Sequence, residues 1–520
     1  MTAKTRYDWL SSERDQYLDT AETGSLLTIP YLIKGLEDNY KSKRSLPTPW
    51  QSVGAKGVVT LASKLMLALL PPNTSFFKLQ VSDDTLGEEG LDPQIRSDLD
   101  LSFAKIERTI MEAVAASDDR VVVHLALQHL VVAGNVLLFM GKDGLKLYPL
   151  NRYVLDRDGN GNVLEIITKE RISRNLIEKF LPPEIQEVTP KEYPGEDGKD
   201  PRISQDELDI YTHVKRDNNR VVWHQEVDGK IIPGSIGKAP LDANPWLPLR
   251  FNSVDGESYG RGRVEQFIGD LKSLEALSQA LVEGSAAAAK VVFVVSPSST
   301  TKPQTLAKAG NGAIVQGRPD DIGVVQVGKT ADFQTAFQLV QQLEKRLSEA
   351  FLIMNVRNSE RTTAEEVRMT QMELDQQLGG LYSLLTVEFL VPYLNRKLNT
   401  AQRSGEIPRL PKGKVKPIII AGVNALGRGQ DSESLGQFMQ AIAQTMGPEA
   451  IQQFINPDEL IKRLAASKGI EILNLVKSKE ELQQEMQAQQ QVQQQQSLVD
   501  QTGQMMNSPA MDPANMQEQQ

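Results

Sequence analysis

Beyond Gly262, apolar residues recur at helical spacing. Val264, Phe267, Ile268, Leu271, Leu274, Leu277 and Leu281 share one stripe, while Glu265, Asp270, Lys272, Glu275, Gln279 and Glu283 stay off it. The pattern predicts a helix over 264–290 that ends in Gly284, Ser285 and four alanines, small residues that let another backbone come close. A second stripe, Phe333, Ala336, Phe337, Val340, Leu343, Leu347, Ala350, Phe351 and Met354, predicts a helix over 331–354. Strand and turn are expected between the two. A short polar segment, 355–361, follows. A third helix should then open at Thr362 and Thr363, each with a glutamate three residues on (Glu365, Glu366), and Gly379, Gly380 and Pro392 should bend it.

Upstream the pattern changes twice. To about Met140 the chain reads as helical, with Leu99, Leu101, Phe103, Ile106, Ile110 and Val114 marking a helix over 98–116. From 145 to 250, β-rich runs at 153–155, 163–168, 210–214 and 221–227 alternate with Gly, Asp, Asn and Pro clusters, the pattern of hairpins. The strip 182–201 is rich in Pro, Glu, Gly and Lys and predicts a surface insertion. Further helices are expected over 432–446 and 457–468, each stopped by glycine. The Gln-rich residues after 480 carry too little apolar surface to offset ordering entropy, so disorder or a weak helical extension is expected there. The fold class expected is mixed α+β, predominantly helical.

Composition narrows the function. A chain of 520 residues with 40% hydrophobic content can bury substantial cores, enough for roughly three domains or one elongated subunit. It has no cysteine, which excludes disulfides and thiolate chemistry. The charged start lacks the apolar core of a secretion signal, and no run of about 18 apolar residues is uninterrupted, so a soluble protein is expected. A net charge of −10 argues against a sequence-reading DNA binder, because affinity for nucleic acid comes mostly from phosphate neutralisation.

Candidate chemistry is sparse. Residues 323–330 read G-V-V-Q-V-G-K-T and fit the phosphate-loop expression, which would put Lys329 on phosphates and Thr330 on magnesium, but Val324, Val325 and Val327 favour extended backbone. The expectation is a strand leading into the second helix. Residues 156–161, D-R-D-G-N-G, match half of a calcium loop, yet the twelfth position is Ile167 where a bidentate glutamate is needed, so a hairpin turn is expected. His124 and His129 fall on different helix faces, and His213 and His224 on separate strands with no carboxylate or second base evident. No catalytic constellation, metal site or cofactor site emerges. Basic clusters at Lys41, Lys43 and Arg44, and at Arg357 and Arg361, read by themselves as solvated surface.

Several blocks are long and specific: TPWQSVGAKG from Thr48, LASKLMLALLPP from Leu61, LVVAGNVLLF from Leu130, DGESYGRGRVEQFIGDLKSLEAL from Asp255 and ALGRGQD from Ala425. In this order they resemble the portal, or head-to-tail connector, proteins of short-tailed bacteriophages of the Autographiviridae type, over about 7–476. The resemblance implies a portal fold of wing, stem, clip and crown, assembled as a ring, usually of twelve subunits, at one capsid vertex of the virion. Mapped onto this chain, 1–260 would be N-terminal helices and β-rich wing, 261–290 and 331–354 the two stem helices, and 291–330 the clip. Residues 355–362 would be the tunnel loop, 363–431 the long wing helix and return segment, 432–480 the crown and 481–520 the tail. Phe267, Leu271, Leu274, Phe337, Val340 and Leu343 would pack the stem, and Asn355, Arg357, Asn358, Ser359, Glu360 and Arg361 would face DNA in the channel.

The implied function is structural, not enzymatic. Double-stranded DNA would pass through the ring without sequence-specific binding during packaging and ejection. The implied partners are the terminase large subunit, tail adaptor or gatekeeper proteins, major capsid and scaffolding proteins, and internal core proteins. Assembly would take place in the host cytoplasm, with the portal nucleating the procapsid. The alternative is an ATP-hydrolysing motor subunit built on 323–330.

Overall fold

The structure, a computed structural model, describes residues 1–33, 46–72, 75–81, 93–142, 144–173, 207–288, 292–298, 302–310, 322–325, 330–353, 379–410, 415–419 and 438–445, with a few isolated positions between them. The chain divides into two compact units, Met1–Ala425 and Leu426–Gln520. In the second, residues 438–445 are helical, within the 432–446 helix expected from the sequence. The insertion 182–201, the segment 355–361, the start of the third helix and nearly all of 446–520 lie outside the described residues.

The first unit opens with four helices: α1 (Ala3–Leu27), α2 (Val53–Leu69), α3 (Pro93–Ala116) and α4 (Asp119–Ala133). Thr2 starts α1 by accepting the Thr5 N–H on its hydroxyl, a side-chain cap for an otherwise unpaired donor. The pattern predicted a helical stretch to Met140, but the stretch is not wholly helical. Strand β1 (Phe77–Val81) interrupts it, and β2 (Asn135–Met140) closes it. The reason for β2 is Gly134, which ends α4 in the left-handed region at φ 73° and turns the chain, so that Val136, Leu137 and Leu138 run extended and fully buried.

β2 lies between β10 (Trp246–Arg250) and β3 (Leu145–Tyr148) in a three-stranded antiparallel sheet. The hairpin region expected over 145–250 forms a larger antiparallel sheet. Its strands run in the order β4 (Tyr153–Arg157), β5 (Val163–Ser173), β6 (Glu207–Asp217), β7 (Arg220–Val227) and β8 (Lys230–Ile231), with β9 (Gly237–Pro240) also on β7. The half calcium loop is the β4–β5 turn. Asp158 Oδ1 accepts the N–H groups of Asn160 and Asn162, a side chain closing its own turn.

Downstream come the short α5 (Arg263–Gln266), α6 (Ile268–Ala288), the pair β11 (Val292–Val295) and β12 (Ile322–Val325), α7 (Pro303–Lys308) between them, and α8 (Thr330–Ala350). The helix predicted over 264–290 is thus broken at Phe267, whose backbone leaves helical geometry. The second stripe also ends earlier than predicted. Phe351 and Leu352 form a turn, and Met354 lies outside the described residues.

Residues 379–385 are helical, Thr386–Leu390 is π-helical, and α9 (Val391–Ser404) runs to Gly405 at φ 83°. The bend expected at Pro392 is absorbed as this wider turn. Proline has no N–H to donate, and just before it the Val391 N–H bonds Thr386 O, five residues back. The π-turn aims Glu388 inward, where it accepts the Nε, Nη2 and backbone N–H of Arg250 and lies 3.8 Å from Arg157. Burial and the Arg250 charge lower the Arg157 pKa to about 10. β13 (Val415–Ile419) then pairs with β1.

Candidate functional site

The two long stripes form one antiparallel helical hairpin. Phe267 meets Phe351 with ring centroids 6.2 Å apart, Arg346 pairs with Asp270 at 2.7 Å, and Gly284 faces Phe333. Each step forward along α6 is a step back along α8. A Cβ at Gly284 would stand 2.6 Å from the Phe333 ring, so the small residue is what lets the helices close there. Leu271, Leu274, Val340, Leu343, Leu347 and Ala350 fill the seam and are buried. Phe267 packs partly buried against the same core. Phe337, expected with them, is 55% exposed. It lies at the edge of the α8 stripe, where helical rotation turns it away from α6.

The base of this hairpin is held by specific contacts. Arg263 donates Nε and Nη2 to Ala350 O at 3.1 and 3.0 Å, placing a cation on the last carbonyls of α8, where the helix dipole is negative. Ile353 N–H bonds Ser348 O and Leu352 N–H bonds Glu349 O, a Schellman closure with leucine, not glycine, in the left-handed position at φ 57°. That conformation costs a leucine about 1–2 kcal/mol. Lys64 of α2 offsets it by donating to Leu352 O at 2.7 Å, and burial lowers the Lys64 pKa. Gly57, also on α2, admits the Phe351 ring. A Cβ there would lie 2.6 Å from Phe351 Cγ.

The chain enters the hairpin through a knot built from two of the specific sequence blocks. Asn135 donates to Gly260 O and Ala133 O and accepts the Gly260 N–H, the two contacts with Gly260 both at 2.7 Å. A Cβ on Gly134 would stand 2.5 Å from the Arg261 carbonyl carbon and the Gly262 nitrogen. The glycines of LVVAGNVLLF and YGRGR therefore exist to let two backbones touch, and this contact aims α5 and α6. Arg261 then pairs with Glu257 and Glu265 at 2.7 and 2.8 Å.

Past the base, Leu352 and Ile353 lead directly into 354–361. Asn355, Arg357, Asn358, Ser359, Glu360 and Arg361 lie outside the described residues. At the other end, the phosphate-loop candidate begins as strand. Val324 and Val325 pair with Phe293 and Val292, and α8 starts at Thr330. The loop residues 326–329, Lys329 included, lie outside the described residues. Extended, paired valines do not make the curved nest that phosphate needs.

One reading of the sequence is overturned. His213 and His224 are not isolated on separate strands: they are direct partners across β6 and β7, and each has a carboxylate. His213 Nε2 is bonded to Glu165 Oε1, and His224 Nε2 to Glu226 Oε1 at 2.8 Å. Glu226 Oε2 accepts the Ala3 N–H at 2.7 Å, and Arg6 donates Nε to Glu165 Oε2 at 2.8 Å. Burial lowers the His213 pKa and outweighs the Glu165 contact. Burial alone would raise Glu165, but the bonds from Arg6 and His213 hold it below the ordinary value. Glu165 and His213 are 48 positions apart and Ala3 and Glu226 are 223 apart, so only the packing of strands and helix could reveal the whole cluster.

No helix of the described residues is long and apolar enough to cross a membrane. The family model described as bacteriophage head to tail connecting protein matches residues 1–472. A portal protein of Escherichia phage T7 is 38% identical over 494 residues, covering 93% of this chain and 90% of that one. A portal protein of Enterobacteria phage T3 is 38% identical, covering 92% and 89%, and one of Enterobacteria phage SP6 is 31% identical, covering 92% and 90%. With two of the specific blocks of the sequence located at the hairpin's entrance and the match running through nearly the whole chain, this protein belongs to the head-to-tail connecting, or portal, family of short-tailed bacteriophages.

Proposed function

We propose that this chain is the subunit of a ring at one capsid vertex, through which double-stranded DNA enters the head during packaging and leaves it at ejection. Beyond family membership, one observation supports the reading. The α6–α8 hairpin is embedded in its own subunit at the base, whereas its far half leaves Val282 52%, Leu339 46% and Phe337 55% exposed. Like copies standing side by side about an axis would cover such residues. In the family's arrangement α6 and α8 are the stem, 291–330 the clip, 355–361 the tunnel loop, 363–431 the long wing helix and return segment, 432–480 the crown, and 1–260 the wing.

The ring acts as a passive conduit. Its charge of −10 per chain is multiplied by the subunit number, and such a tube has little net grip on a polyanion. Work must then come from a separate ATPase, the terminase large subunit, docked on the clip during filling and later replaced by tail adaptor proteins. Capsid, scaffolding and internal core proteins would contact the outer and upper surfaces. Arg357 and Arg361 would add two rings of positive charge in the lumen, screened by salt and too weak to anchor the duplex.

Electron microscopy of the purified full-length protein tests the proposal. A closed ring with a hole wide enough for duplex DNA is expected, usually with twelvefold symmetry; monomers or solid particles would contradict it. Replacing Arg357 and Arg361 together by alanine should leave rings intact and lower DNA content per particle. Unchanged filling and retention across a range of salt would return both arginines to ordinary surface.

A further inference from the structure

The six-stranded sheet carries a cluster that the portal reading does not use. His213 and His224 face each other across β6 and β7 with ring centroids 5.4 Å apart. Glu226 lies two residues beyond His224, hence on the same face of the strand. One nitrogen of each ring and one carboxylate oxygen of Glu226 all lie within 4.8 Å of one another, with His213 and Glu226 buried and His224 half-buried. From this geometry we infer that His213, His224 and Glu226 form a binding site for a divalent transition-metal ion of the zinc class, beneath the first turn of α1.

The donor set selects the ion. Two imidazoles and one carboxylate suit zinc, nickel or copper, whereas magnesium and calcium favour shells of oxygen alone. Zinc bonds of about 2.0–2.2 Å bring donor atoms closer together than this span, and small ring and carboxylate rotations close the difference, leaving a fourth position for water. Glu165 is not the third ligand, because its charge is already met by Arg6 at 2.8 Å and Lys215 at 3.8 Å. It acts instead on His213. A histidine with one ring nitrogen held by a carboxylate presents the other to a metal in a fixed orientation.

The ion would tie two parts of the fold together. Glu226 also accepts the Ala3 N–H, and Arg6 binds Glu165 and Asp156. Metal at this point therefore fastens the start of α1 to the sheet that the helix packs on through Ala3, Tyr7 and Leu10.

The test uses the full-length protein, stripped with chelator and titrated with zinc chloride by calorimetry and thermal melting. One zinc per subunit is expected, with a rise of several degrees in Tm at about a hundredfold excess over Kd, and no rise with magnesium chloride. His224→Ala and Glu226→Gln should each weaken zinc binding at least tenfold, and Glu165→Gln by roughly 10- to 100-fold through the orientation of His213. Cobalt(II) should give visible absorption bands in the wild type that His224→Ala removes, a readout independent of folding stability. Absence of stoichiometric zinc in the wild type, or unchanged zinc affinity in both His224→Ala and Glu226→Gln, would overturn the site.

Discussion

The two ends of the α6–α8 hairpin are built on the same repeat of apolar residues but differ in what covers it. At the base, Leu271, Leu274, Leu347 and Phe351 are fully buried, and Arg263, Lys64 and Gly57 fix the exit of α8. Toward the far end burial fades: Leu277 and Leu281 are half-covered, and Val282, Phe337 and Leu339 face out. The base is thus a feature of subunit folding. The far half is a surface whose apolar residues gain their stabilisation only when another molecule covers them.

Charge insertion separates the two ends most sharply. Leu271→Asp buries an unpaired carboxylate at the base and should cost on the order of 3–5 kcal/mol, unfolding the subunit as seen by circular dichroism. Acid should act on the folded subunit through His129, buried on α4 with no hydrogen-bond partner for Nδ1 among the described residues. Burial lowers its pKa from 6.5 to about 4. The unfolded chain then takes up a proton more readily than the folded one, so stability is full above about pH 6.5 and falls by about 3 kcal/mol toward pH 4. Denaturant melts across that range should show the fall, and His129→Gln should flatten it.

A smaller effect is expected from Gly57→Ala, whose methyl group would press on the Phe351 ring. A loss of about 1–3 kcal/mol in chemical denaturation would place Phe351 in the folding core of the base, and no loss would mean that the ring can move aside. The least effect on the isolated subunit, within about 0.5 kcal/mol, is expected from Phe337→Asp, because this residue is already more than half exposed. Ring assembly is where that variant should fail, measured by sedimentation. Normal rings from Phe337→Asp would remove the far half from the subunit interface.

The sequence by itself determined the helical stripes, the hairpin-rich middle and the family, because a period of 3.6 or 2 and a specific block are local properties of the chain. The stripe could say that Phe337 borders an apolar face but not what covers it. The block YGRGR could be recognised, yet its partner Asn135 lies 125 residues away, and only the fold shows that these glycines exist for backbone contact. Pro392 announced a bend, but the wider π-turn that accommodates it, and that turns Glu388 onto Arg250, depends on the sheet beneath. The His213, His224, Glu165 and Glu226 cluster was invisible for the same reason. His213, His224 and Glu226 share one hairpin whose tight turn sets their register, but Glu165 comes from β5, 48 residues from His213, and its place beside the ring is an outcome of sheet packing that no short window of sequence contains.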